Sequence, residues 1–112
     1  MRVTVVSPYS AAYPNPIALQ SGAAVTVERE DPDFPGWHWC QCANGTSGWV
    51  HESFLASTAG STTALHDYCA RELTVSVSAA GTMLRELSGW ALVRLDSGEE
   101  GWLPVANVQR NG

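Results

Sequence analysis

The chain has 112 residues, 45% of them hydrophobic and only 15% charged, a balance that builds a core and excludes both a disordered tail and a membrane span. Eleven carboxylates face six arginines and no lysine, for a formal net charge of −5, which repels phosphate backbones and anionic surfaces, so neither nucleic acid nor membrane is an expected partner. The opening residues Met1 to Val6 are too short for a secretion signal, and three cysteines, an odd number, do not make a disulfide framework; the expected setting is reducing and cytoplasmic.

Short apolar runs bounded by Gly, Pro, Asn and Ser predict an all-β chain, with no apolar residues at helical spacing for more than a turn. In chain order the predicted strands are residues 3–6, 24–28, 37–42 and 47–50, with a last one near Leu55. A small, polar stretch from Ala56 to Thr63 then reads as a linker. Five more strands follow at 63–68, 82–86, 91–95 and 100–103 and near Val108. The second series repeats the first. Gly36-Trp37 recurs as Gly89-Trp90, Gly45 as Gly98, Gly48-Trp49-Val50 as Gly101-Trp102-Leu103 and Leu55 as Val108, all at an offset of 53. Upstream the offset widens to 56 for Ile17 and Leu19 against Leu73 and Val75, and to 59 for Tyr9 against Tyr68. The widening places loop-length differences after Tyr9 and at Glu30 to Pro35. Five strands in about 55 residues predict a small closed barrel per copy, because closure removes edges that so short a chain cannot protect. The expected domains are residues 1–57 and 62–112. Strand parity turns Trp39 and its counterpart Leu92 outward, so the two barrels are expected to dock on each other, or on a second chain, through that face.

These residues carry a resemblance. Ala64-Leu65-His66-Asp67-Tyr68, Glu72-Leu73-Thr74-Val75, Gly89-Trp90 and Gly98-Glu99-Glu100-Gly101-Trp102-Leu103-Pro104 resemble an SH3 domain from its ALYDY motif to its closing G-W-x-P turn. Copy one resembles the same domain more distantly, through Val5-Val6-Ser7-Pro8-Tyr9, Gly36-Trp37 and Gly48-Trp49-Val50-His51. The chain is thus similar to bacterial proteins built of two variant SH3-like barrels. The resemblance implies a non-catalytic module that docks an extended, proline-containing and basic segment in an aromatic groove. In copy two it assigns Tyr68, Glu72, Trp90 and Pro104 to the groove, with Trp102 along its edge or capping the barrel. In copy one it assigns Tyr9, Trp37 and Phe54. His66 and Asn107 stand where groove tyrosines belong in copy two; Ser7 replaces a groove tyrosine, His51 the proline and Pro16 the acid in copy one. Two readings stand as alternatives: a cell-wall module that, as in related proteins, grips peptidoglycan peptides, and a structural domain whose aromatic face is consumed by self-association.

Other chemistry-bearing residues point to structure. Cys40 and Cys42, with His38 and His51 nearby, have the side chains of a zinc site, but their counterparts Val93 and Leu95 are core residues, so the cysteines are expected in the core and no metal is expected to be bound. Cys69 and His66, three apart on a strand, face opposite sides and do not form a nucleophile and base. The run Glu28-Arg29-Glu30-Asp31-Pro32-Asp33 lacks the spacing of a calcium loop and reads as solvated. No enzyme and no cofactor is expected.

Overall fold

The computed structural model describes residues 1–111; most of its strands overlap those the hydrophobic pattern predicts, while Ala18–Leu19 is a strand the pattern does not mark and Ser61–Ala64 falls largely in the stretch expected to be a linker. They are β1 (Arg2–Val5), β2 (Ala18–Leu19), β3 (Ala24–Glu30), β4 (Trp37–Cys42), β5 (Ser47–His51), β6 (Leu55–Thr58), β7 (Ser61–Ala64), β8 (Tyr68–Cys69), β9 (Ala80–Leu87), β10 (Trp90–Leu95), β11 (Glu100–Pro104) and β12 (Val108–Arg110). Two single 3-10 turns, Glu52–Phe54 and Val105–Asn107, precede β6 and β12. The fold is all-β, with two five-stranded, barrel-like sheets.

The compact units cut across the two copies of the repeat. Unit 1 is Met1–Pro14 with Arg71–Gly112, and unit 2 is Asn15–Ala70, so neither coincides with residues 1–57 or 62–112. In unit 1 the sheet order is β11-β10-β9-β1-β12, which puts the first strand of copy one between two strands of copy two. In unit 2 the order is β5-β4-β3-β7-β6, which puts the first strand of copy two between two strands of copy one. The exchange continues past the strands: Tyr9 of copy one bridges Val75 of copy two, and Tyr68 of copy two pairs with Leu19 of copy one.

The physical cause lies in the stretch expected to be a linker. It is a tight hairpin. Leu55↔Ala64 through Thr58↔Ser61 pair β6 with β7, leaving only Ala59 and Gly60 to turn, both at positive φ (51° and 81°). Two consecutive positive φ values match the right-handed twist of a hairpin, and Gly60 takes one of them without strain. Closing a two-residue turn orders far less chain than bringing β1 to β6 across some fifty residues, so β7 takes the place beside β6 and β1 pairs elsewhere.

Both units are otherwise built alike. Each carries a bulge in its first long strand, between Val27 and Arg29 in β3 and opposite Leu92/Val93 in β9, which bends that strand as a closing sheet requires. Ile17 and Leu73, equivalent in the repeat, are fully buried. Each packs on a glycine that has no room for a side chain: a Cβ on Gly48 would lie 2.7 Å from Ile17 Cγ2, and one on Gly101 would lie 3.0 Å from Leu73 Cγ. The unit 1 core is Val3, Val5, Leu73, Val75, Ala91, Val93 and Leu103. Cys40 is 0% exposed and its counterpart Val93 1%, as a core cysteine should be. Trp39 is half-buried and packs edge-to-face on Trp49 of its own unit, centroids 5.1 Å apart, with the Arg29 guanidinium 5.2 Å from the Trp39 ring centre and 5.6 Å from that of Trp49.

Candidate functional site

The exchange reassigns the aromatic residues. In unit 1, Tyr9 meets the acid, tryptophan and proline of copy two. Its ring stands edge-to-face to Trp90, with centroids 6.0 Å apart and planes at 81°, a favourable arrangement for two aromatic quadrupoles. Its hydroxyl donates to Glu72 Oε1 at 2.9 Å, and the same oxygen accepts the Ala12 N–H at 2.9 Å. Burial first, and then this bond to a carboxylate, raise the Tyr9 phenol well above its ordinary pKa, so it stays a donor at all physiological pH. A two-residue turn, Ser88-Gly89, starts β10 at Trp90, which lies directly opposite Pro104 of β11. Asn107 donates its side-chain amide to the carbonyls of Ser7 and Pro8, at 3.2 and 3.1 Å, tying the chain leading to Tyr9 against the 3-10 turn. Tyr9, Glu72, Trp90 and Pro104 are all half-buried.

In unit 2 the equivalent residues close on themselves. Trp37 stands edge-to-face to His51, centroids 5.2 Å apart. His51 caps the following 3-10 turn by accepting the Ser53 N–H at 3.1 Å. Phe54 lies against Tyr68 at 4.7 Å and against His66 at 6.3 Å, and the Tyr68 hydroxyl donates to the Trp49 carbonyl at 2.7 Å. Trp37, His51, Phe54 and Tyr68 are all buried.

The residues singled out from the sequence therefore fall into a different grouping. Tyr68 does not share a site with Glu72, Trp90 and Pro104; it joins Trp37 and Phe54, and Tyr9 takes its place. Trp102 is 3% exposed and lies in β11 opposite Leu92, where its ring serves the barrel and offers no face to a ligand. The remaining polar chemistry is structural or local. Cys40 is pushed up to about 11 by burial and then by the Glu28 charge, which keeps it a thiol, and the Cys42 Sγ bonds Asn44 Oδ1 in the next turn. Asp31 Oδ1 accepts the N–H groups of Asp33 and Phe34, ordering the acidic loop from within. Among the described residues a mixed group of metal-ligating side chains, Glu30, His38 and Glu52, comes together at the β3–β4 end of unit 2; the sequence alone does not mark it, although the Glu30↔His38 pairing follows once β3 and β4 are put in register.

A family model for the variant SH3 domain matches residues 2–57. The chain belongs to the variant SH3 domain family. No curated protein and no solved structure matches it. SH3 domains are in general protein- and peptide-binding modules, typically without catalytic activity. The matched segment runs through both units, residues 2–14 in unit 1 and 15–57 in unit 2, so the variant SH3 sequence is continuous where the barrel is not. Among the described residues no helix is long and apolar enough to cross a membrane.

Proposed function

We propose that this variant SH3 chain is an adaptor-like peptide-binding module in which unit 1 does the binding, an extended, proline-containing segment lying across Tyr9, Trp90 and Pro104. The observation that carries the reading is that these three flat apolar surfaces are half-exposed and contiguous, with a carboxylate at one end, whereas their unit 2 equivalents are buried. A polyproline II segment is already extended when free, so docking it on rigid rings loses little conformational entropy. Glu72 spends Oε1 on Tyr9 and Ala12, and in this reading its Oε2 is the acceptor for an arginine or lysine of the ligand. The net charge of −5 speeds encounter with basic partners. The exposed thiol of Cys69 suits a reducing, cytoplasmic setting.

A peptide array screened with the parent and with Trp90→Ala and Glu72→Gln tests the reading. The best peptides should contain proline and a basic residue, and the tryptophan variant should lose about 1 to 3 kcal/mol of binding. Equal affinity of all three proteins for the best peptide would remove the assignment.

A further inference from the structure

The donor groups that the aromatic surfaces do not use gather at one end of unit 2. Glu30 closes β3 and lies directly opposite His38 of β4, and directly opposed residues hold their Cβ atoms about 4.5 to 5.5 Å apart. Glu52 opens the 3-10 turn after β5. Gly36, in the loop between β3 and β4, holds both acids in place: its N–H donates to Glu30 Oε2 at 3.0 Å, and its carbonyl accepts the Glu52 N–H at 2.9 Å. The result is that one carboxylate oxygen of each acid and an imidazole nitrogen, supplied by three separate stretches of backbone, lie within 4.8 Å of one another.

The donor set and its spacing suit a cation of a particular kind. Imidazole favours zinc and its first-row neighbours, whereas magnesium and calcium prefer all-oxygen surroundings. Ligands 2.0–2.1 Å from a tetrahedral ion are about 3.3 to 3.4 Å from each other, and His38 Nε2 already stands 3.4 Å from Glu52 Oε2. Glu52 is 64% exposed and can adjust by side-chain torsion, while Glu30 is oriented by the Gly36 N–H in the way that metal ligands are commonly fixed by a backbone partner. Three protein ligands leave a position for water. We propose that Glu30, His38 and Glu52 form a binding site for a divalent transition-metal ion, zinc foremost. The thiols that first suggested a metal take no part: Cys40 is buried in the core, and Cys42 is four residues from His38 along a strand, roughly 13 Å away. Bound there, the ion would tie the β3–β4 loop to the 3-10 turn.

Titration calorimetry of the full chain with zinc chloride tests the site. One ion per chain is expected. His38→Gln and Glu52→Gln should each weaken binding by at least about 10-fold; Glu52 is exposed and His38 partly so, and matching circular dichroism spectra would establish that the variants fold. Glu28→Gln, which removes a carboxylate from the strand that carries Glu30, and Cys69→Ser, which removes the exposed thiol, should bind like the parent. Failure of the parent to bind zinc, parent-like affinity in His38→Gln and Glu52→Gln, or loss of binding in Cys69→Ser would each overturn the proposal. So would a parent that ignores zinc while an arginine-containing peptide shifts the His38 ring resonances, which would make the cluster a charge pocket for peptide.

Discussion

Units 1 and 2 share a strand plan, a bulge and a buried aliphatic residue packed on a glycine, yet they use their aromatic residues in opposite ways. In unit 2 the position facing Trp37 across the ladder is His51, whose ring packs on the tryptophan edge and whose nitrogen caps the next turn, and Phe54 fills the space beside Tyr68. In unit 1 the same two positions are Pro104, a flat ring beside Trp90, and Asn107, which spends its amide on backbone carbonyls. One set of aromatics holds its own barrel together, and the other is left half-open. Two substitutions at equivalent positions thus separate a structural cluster from the surface proposed here to bind peptide, on a common scaffold.

The sharpest way to break the comparison is to cut the chain where it passes between units. Unit 2 is continuous and should fold alone as residues 15–70, with a cooperative urea transition. Residues 71–112 lack β1, which places Val3 and Val5 in the core. Burying two such side chains contributes about 3 to 6 kcal/mol, of the order of the whole stability of a domain this small. The fragment should therefore be unfolded by circular dichroism and should regain strand signal on adding a peptide of residues 1–14. A folded 71–112 fragment would show that β1 is dispensable. The same connectivity predicts that 2–57, the segment the family match covers, lacks the β7 partner that unit 2 uses.

A smaller effect sharpens the contrast between the aromatic sets. Trp37→Ala removes a buried ring and should cost about 3 to 5 kcal/mol in urea unfolding, whereas Trp90→Ala removes a half-exposed one and should cost roughly 1 to 2 kcal/mol. Equal losses would mean that both rings are structural.

The smallest expected effect concerns Cys40, a core position where the other unit has the non-titratable Val93. Burial raises Cys40 from 9.0 to about 11, so the folded state holds the thiol proton more tightly than the unfolded chain does. That preference is fully present below pH 9 and is lost as pH rises from 9 to about 11, because the unfolded thiol ionises first. Cys40→Val, which copies Val93, should be tolerated within about 1.5 kcal/mol at neutral pH and should flatten the alkaline fall in stability. An unchanged alkaline profile would remove Cys40 as its source.

The strands were legible because apolar alternation and the doubled Gly-Trp pairs mark them locally, and the interchangeable roles of Ile17 and Leu73 or of Cys40 and Val93 follow from the repeat. Their partners were not. Arg2-Val3-Thr4-Val5 and Ser61-Thr62-Thr63-Ala64 are both acceptable first strands for either barrel, so side-chain pattern cannot say which goes where. The deciding element, Ala59-Gly60, lies in small polar residues that look like a linker and lacks the Asn-Gly or Asp-Gly pair by which such turns are usually recognised. The groove residues were legible by type for the same reason that the strands were, and their grouping was not, because Tyr9 and Tyr68 travel with the exchanged strands.

That two-residue turn also sets a timetable for synthesis. Unit 2 is complete once Ala70 has emerged, and β7 can zip onto β6 as soon as it is made. β1, made first, has both of its partners at the far end of the chain, and about seventy residues separate it from β9 alone. At about 5–20 residues per second on the ribosome, β1 waits several seconds unpaired while the competing place beside β6 is being filled. The hairpin thus acts as a clock as much as a joint: it occupies the wrong seat before the first strand can take it.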